Sequence, residues 1–397
     1  MSNISCDKCG GNVVRSDKHE DLYVCENCHA EYSLAWVRMK CRVPITYLIK
    51  ESSEHEGTWL IWPHEYHFAN TKPEGKKSLD KIEWIWLKII QSLCSGEKIH
   101  IIAYDKSTEK RIRNLLTEYE IALDNIDFVI AKTDSFWVRD IGPIFGMDNY
   151  GKTVILNFEF DSWGKKIDEG ELLYENDNHL PAEIAKSKDL PLLNIPDFSD
   201  KKLVLEGGSY DYDGYGTLMS CKSSVVSEHR NPNFTTEEVE LYFQQYFGIE
   251  SCNIIWLNGK LDRIDSNGNH SDITDCHVDG IARFFDENTI VSLPKEYLPE
   301  GDYDKLVNAQ NGDCQNYQIV ELPIDNEDEW VYINYYIGNE ALIVPTLSFV
   351  NTKILNILSE LYPLKKIVPI DVTELVKYGG AVHCITQQQP KTPPNIE

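Results

Sequence analysis

Long apolar runs are missing from this chain of 397 residues. No stretch reaches the roughly 18 uncharged apolar residues that a membrane span needs. The nearest approach, residues 84–93, is broken by Lys88. The opening MSNISCDKCG has no basic segment feeding an apolar one, so it does not read as a secretion signal and a cytoplasmic protein is expected. Basic residues are scarce: 38 Lys and Arg stand against 64 Asp and Glu, a net charge of −26. That balance argues against nucleic-acid and anionic-membrane surfaces and agrees with a cationic ligand. Disorder is excluded, because hydrophobic residues at 42% and aromatics at 11% are enough to build a core.

Cysteine is plentiful, at eleven, but the number is odd and no secretion signal precedes it. A disulfide framework is therefore not expected, and metal binding or catalysis has to account for the thiols. Cys6-x2-Cys9 and, after fifteen residues, Cys25-x2-Cys28 have the spacing of a tetrathiolate zinc ribbon. Gly10 and Gly11 let the chain bend out of the first turn. Residues 1–34 are assigned to this ribbon, with a structural zinc. Its net charge of −3 suits a protein contact better than a phosphate one.

After a linker at 35–42, strand and helix signals alternate. Helices are expected at 78–93, 107–120, 235–247 and 351–361, the third with a Thr235/Glu238 capping box and the fourth capped by Asn351. Hairpins are expected at 136–157, 203–221, 275–293 and 331–346, the later ones followed by a helix. Hairpin-plus-helix units at irregular spacing favour radial repetition, an α/β propeller, over an open parallel sheet.

Polar residues gather within these units. Arg139 and Asp140 lie between Trp137 and Gly142-Pro143, and Glu206 precedes Gly207-Gly208. His277 and Asp279 stand two apart, which on a strand places both on one face. Cys384 lies in AVHCIT; read as extended, that segment points His383 the other way, a poor candidate for the activating base. Singly, each has a plainer reading as an ion pair, a core histidine, a turn residue or a buried thiol. Together, carboxylates with one His and one Cys suit attack on a guanidinium. Carboxylates bind that planar cation bidentately, a thiolate attacks its carbon, and an imidazole handles the protons.

The motifs TWLIWPHEYHF, WVRDIGPIF, Trp163-Gly164, LVLEGGSY, TDCHVDGIARF, YINYYIGNEALIVP and GGAVHCITQQQP occur in the order seen in agmatine deiminases and related bacterial peptidylarginine deiminases. Residues 43–390 resemble that family, leaving 391–397 as a tail. The resemblance implies a five-bladed, pseudo-symmetric α/β propeller (the pentein fold) with its site on the central axis. It implies Cys384 as nucleophile and His277 as general acid/base. Asp140 and Asp279 then clamp the guanidinium, Glu206 orients His277, and Trp137, Trp163 and Asn334 lie near the substrate. It further implies a thiouronium intermediate, a ureido product and no cofactor for the chemistry. FEFDSWG and the lack of an Arg between Asp140 and Trp163-Gly164 favour agmatine, a route toward putrescine, over free or peptidyl arginine. Asp161, Lys165, Cys276 and Ala381 depart from the family pattern, where Asn, Gly, Gly and Asn are usual. The alternatives are another guanidine substrate, or a ribbon-bearing interaction protein whose deiminase site has changed or been lost. A homo-oligomer, a protein partner for the ribbon and amidino transfer in place of hydrolysis all stay open.

Overall fold

The computed structural model describes residues 4–6, 8–16, 22–33, 44–68, 75–165, 174–196, 202–250, 253–263 and 271–392. The expected linker at 35–42 and residues 393–397 of the tail lie outside them, as do Cys41, Lys166 and Cys252.

At the N-terminus, strands Ile4–Ser5, Asn12–Arg15, Leu22–Cys25 and Glu31–Ser33 form an antiparallel sheet in chain order. Its core is Cys6, Val13 and Cys25 with Tyr23, Ala30 and Tyr32 packed on them. So small a cluster cannot offset the conformational entropy of the segment without a further tie.

The rest is mixed α/β, and among the described residues it contains five sheets sharing one pattern. In each, two antiparallel strands are followed by a helix, after which the chain returns as a strand parallel to its predecessor. Ile144–Asp148 and Thr153–Asn157 are joined by Leu192–Asn194 through the helix Glu175–Lys188. Tyr210–Tyr212 and Leu218–Cys221 are joined by Ile254–Leu257, and Ala282–Phe284 and Thr289–Ser292 by Gln318–Glu321. Tyr336–Ile337 and Ala341–Thr346 take Lys366–Asp371 through the helix Thr352–Leu361. The fifth unit is split between the ends of the chain: Gln387–Pro390 runs antiparallel to His55–Ile61, which pairs parallel with Lys98–Ala103.

The helix signals hold locally. Thr235 accepts from the amide of Glu238 while Glu238 caps in return, and the helix Thr236–Tyr242 continues into a π-helical turn at Phe243–Phe247. Asn351 accepts from the amide of Lys353. The faces of these elements meet in a core carrying the fully buried Trp59, Trp62, Trp86, Tyr335 and Tyr336. No helix among the described residues is long and apolar enough to cross a membrane.

Three segments expected to be extended are turns. Arg139 and Asp140 lie in the short helical turn Val138–Ile141, His277 and Asp279 border and occupy the 3-10 turn Val278–Gly280, and Cys384 sits in the 3-10 turn His383–Ile385. Tertiary hydrogen bonds outweigh strand propensity in the last of these. The amide of His383 donates to Asn334 Oδ1, and the Thr386 hydroxyl donates to the Val382 carbonyl, closing the turn before the strand starts at Gln387.

Candidate active site

Each of the five sheets delivers one site residue from the same place, two to four positions before its first hairpin strand. Asp140 precedes Ile144, Glu206 precedes Tyr210, Asp279 precedes Ala282, Asn334 precedes Tyr336 and Cys384 precedes Gln387. The structure thus brings together residues up to 244 positions apart in sequence.

His277 lies among the carboxylates. Its Nε2 is 3.0 Å from Glu206 Oε2 and its Nδ1 is 3.6 Å from Asp140 Oδ1. Gly208 faces the centre of the group: a methyl there would lie 2.6 Å from His277 Nδ1, 3.0 Å from Asp279 Oδ2 and 3.2 Å from Asp140 Oδ1. Trp163 Nε1 donates to Asp140 Oδ2 at 3.0 Å, whereas Asp140 Oδ1 is buried with no hydrogen-bond partner. A buried acceptor left open is costly unless a ligand donates to it, which suits a guanidinium. Cys384 is half-buried, with Sγ 3.4 Å from Asn334 Oδ1. The Asn334 amide nitrogen donates to the Asp279 carbonyl at 3.3 Å, so the side chain expected to meet substrate is instead engaged by Cys384 and Asp279. Trp137 borders the same space, since a methyl on Gly380 would touch both its ring, at 2.6 Å, and Cys384 Cβ, at 3.1 Å.

The electrostatics follow from burial among like charges. Burial, with Glu206 and Asp279 nearby, pushes the Asp140 carboxyl up to about 6, although His277 and Trp163 oppose the rise. Burial pulls His277 down, but Asp140 first, then Glu206 and Asp279, lift it to about 9. Burial raises the Glu206 carboxyl, and Arg230 ahead of His277 more than reverses this, holding it below its ordinary value. Burial and the charges of Asp279 and Asp140 push the Cys384 thiol well up. These shifts favour the thiol form of Cys384 and the imidazolium form of His277.

Three supporting residues were not singled out from sequence. Arg230 Nε donates to Glu206 Oε1 at 2.8 Å and its Nη1 to Asp275 Oδ2 at 2.9 Å, all three side chains being buried. His383, set aside as a base, has its ring nitrogens taken by Asp279 Oδ2 at 2.6 Å and Glu51 Oε2 at 2.8 Å. Glu51, from the loop after Thr46–Leu48, lies 332 positions from that histidine and carried no local signal. Positive φ angles cluster here, at Ser162, Trp163, Asp275 and Cys276. Cys276 holds φ +70° where the family pattern has glycine, a conformation costing a residue other than glycine about 1–3 kcal/mol. Asp161, one of the departures from the family pattern, accepts from the Gly164 amide at 2.8 Å and closes the left-handed turn that aims Trp163 at Asp140.

The four N-terminal cysteine sulfurs lie within 4.8 Å of one another, with Cys6–Cys28 and Cys9–Cys25 both at 3.5 Å. Sulfurs about 2.3 Å from one tetrahedral ion stand about 3.8 Å apart, so this donor set fits zinc. Tyr32 Oη is 2.8 Å from Cys6 Sγ, a hydrogen bond of the kind that steadies a ligating thiolate.

The chain is similar over most of its length to known proteins. "Putative agmatine deiminase" of Latilactobacillus sakei subsp. sakei (strain 23K) is 27% identical over 373 residues, covering 86% of this chain and 94% of its own. The relative of the same name from Selenomonas ruminantium is 25% identical, covering 87% and 95%. The solved agmatine deiminase of C. jejuni with substrate bound is 26% identical, with a TM-score of 0.69 over 87% of this chain and 97% of that one. The Enterococcus faecalis agmatine deiminase, at 23% identity and TM-score 0.71, shares the fold, the mixed α/β pentein fold of these neighbours. The model of the Porphyromonas-type peptidyl-arginine deiminases matches residues 47–390, and the chain belongs to that family.

Proposed function

We propose that this chain hydrolyses the guanidinium of a small cation, agmatine foremost, to N-carbamoylputrescine and ammonia. The observation that carries the reading is the buried Asp140 Oδ1, without a hydrogen-bond partner and facing the space beside Gly208 that it shares with Asp279 and His277. Asp140 and Asp279 clamp the cation. A positive charge about 4 Å from the sulfur, at an effective dielectric of about 20, is worth ~4 kcal/mol, or about three pKa units. Binding thus arms a thiol that the empty site keeps protonated. The Cys384 thiol gives its proton to solvent as the cation binds, the thiolate attacks the guanidinium carbon, His277 gives its proton to the departing ammonia, and a thiouronium remains on the sulfur. Water then attacks the same carbon, His277 takes one of its protons, and the C–S bond breaks to free the ureido product while the second proton returns to the departing sulfur as the thiol. Glu206, held by Arg230, orients His277, and Asn334 orients Cys384. Trp163 orients Asp140, and Trp137 walls the site. The acid/base and nucleophile are side chains, so no cofactor enters the chemistry.

Agmatine is favoured over arginine because the arginines around the site are engaged. Arg139 binds the His383 carbonyl and Gln388, Arg230 binds Glu206 and Asp275, and Arg283 binds Glu51 and Asp211. Among these three, Arg139 Nη2 is the nitrogen without a hydrogen-bond partner, and it lies 3.9 Å from Glu51 Oε2, which holds its charge. The five like sheets support a five-bladed propeller over residues 43–390, with the hairpin entries at its axis. Cys6, Cys9, Cys25 and Cys28 hold a structural zinc in a separate acidic ribbon suited to a protein contact, and the enzyme acts in the cytoplasm. The test is to give the full chain agmatine, free arginine and an arginyl peptide and to assay ammonia and ureido product. Agmatine is expected to have the highest kcat/KM, and Cys384→Ala to abolish turnover. Activity surviving in that variant refutes the mechanism, and turnover of none of the three favours the interaction-protein reading.

A further inference from the structure

The two carboxylates of the clamp are held in the same manner. Asp140 Oδ2 accepts from one aromatic N–H, that of Trp163, and Asp279 Oδ2 faces one ring nitrogen, Nδ1 of His383. Among the described residues, this is the one side-chain hydrogen bond to the Asp279 carboxylate. His383 is 2% exposed and fixed on every side. Its amide donates to Asn334 Oδ1, its carbonyl accepts from Arg139 Nε at 3.3 Å, and its Nε2 is 2.8 Å from Glu51 Oε2. Glu51 is in turn bound by Arg283 Nη2 at 2.8 Å, with Arg139 Nη2 3.9 Å away. Arg283 continues to Asp211 and to the Tyr335 carbonyl.

We propose that His383 is a positioning residue, anchored by Glu51, that sets the Asp279 carboxylate for the incoming guanidinium. Both of its ring partners are carboxylates, so it acts by donating through both nitrogens. A carboxylate held at one oxygen cannot swing about its terminal torsion, and a clamp must be held to a fraction of an ångström to bind a planar fork. The adjacency of His383 to Cys384 then has a purpose. One turn carries the nucleophile and the group that aligns the clamp, so the two stay in register. This role rests on the guanidinium reading of the site.

Two substitutions separate the nitrogens. His383→Asn keeps a donor where Nδ1 stood, facing Asp279, while His383→Gln keeps one where Nε2 stood, facing Glu51. The readout is alkylation of Cys384, with loss of chloride, by 2-chloroacetamidine against its neutral counterpart 2-chloroacetamide, followed by mass spectrometry. It is taken with kcat and KM for agmatine and with the melting temperature. The amidinium preference of His383→Asn should stay within about fivefold of wild type. His383→Gln should lose that preference at least tenfold and raise KM more than it lowers kcat, at a similar melting temperature. Equal preference in the two variants, or losses that track melting temperature, overturn the proposal. Should neither variant fold, Glu51→Gln is read the same way: a lowered preference supports the proposal and an unchanged one overturns it. Wild-type protein that turns over no guanidine refutes the deiminase reading alone, since the alkylation preference still reports on the clamp.

Discussion

Gly208→Ala adds one methyl group to the centre of the site. Nothing in the backbone forbids it, because Gly208 is not among the glycines with positive φ. The methyl would stand 2.6 Å from His277 Nδ1, about 0.8 Å inside ordinary contact, and 3.0 and 3.2 Å from the carboxylate oxygens of Asp279 and Asp140. The imidazole is pinned on its far side by Glu206, so it cannot withdraw without stretching a buried charge-assisted hydrogen bond. Displacing a catalytic group by about 1 Å costs on the order of 100-fold, or ~2.7 kcal/mol of transition-state stabilisation. The methyl also takes space that the guanidinium needs between the two carboxylates. Steady-state ammonia release from agmatine should therefore show kcat/KM lowered about 100-fold. The same clash should cost the folded state about 1–3 kcal/mol in urea unfolding, too little to unfold the protein under assay conditions. A variant within threefold of wild type would mean that the reacting carbon does not lie beside Gly208, and the assignment of the site would fail.

The pH profile of kcat/KM should be bell-shaped. It should rise as Asp140 ionises near 6, since only the carboxylate clamps a cation, and fall as His277 loses its proton near 9. An acid limb near pH 4, or an alkaline limb below 8, would contradict the charge arrangement. Arg230→Met removes the guanidinium that bridges the buried Glu206 and Asp275 carboxylates, leaving His277 and His229 as their remaining side-chain partners, and should cost about 3–5 kcal/mol by chemical denaturation. A loss under about 1 kcal/mol would show that water reaches the pair. Metal analysis should find about one zinc per chain, lost in Cys25→Ser while deiminase activity stays within about twofold. Activity that falls with the zinc would overturn the independence of the ribbon.

Much of this was legible in the sequence, for identifiable reasons. The hairpins announced themselves through turn residues at 148–151 and 213–216, where Asp148 and Asp213 accept from amides two positions on. Asp140, Glu206, His277, Asp279 and Cys384 were readable as a set because their chemistry is unusual in combination. Their local conformation was not, because the turns that carry them are imposed by distant partners, as Asn334 imposes the turn at His383. Glu51 and Arg230 were invisible for the same reason: what identifies them is a contact, and neither lies in a distinctive pattern. Asn334 was found by its motif, but its work on Cys384 required the geometry.

The pairing of Gln387–Pro390 with His55–Ile61 has a consequence for how the enzyme comes into being. Cys384, the proposed nucleophile, lies three residues before the strand that pairs with His55–Ile61. A growing chain therefore has four of its five sheets before it has a reactive sulfur, and the sulfur reaches its neighbours only when that last strand docks. Chemical competence and completion of the fold become a single event. On the proposed mechanism, copies clipped before Gln387–Pro390 are inactive.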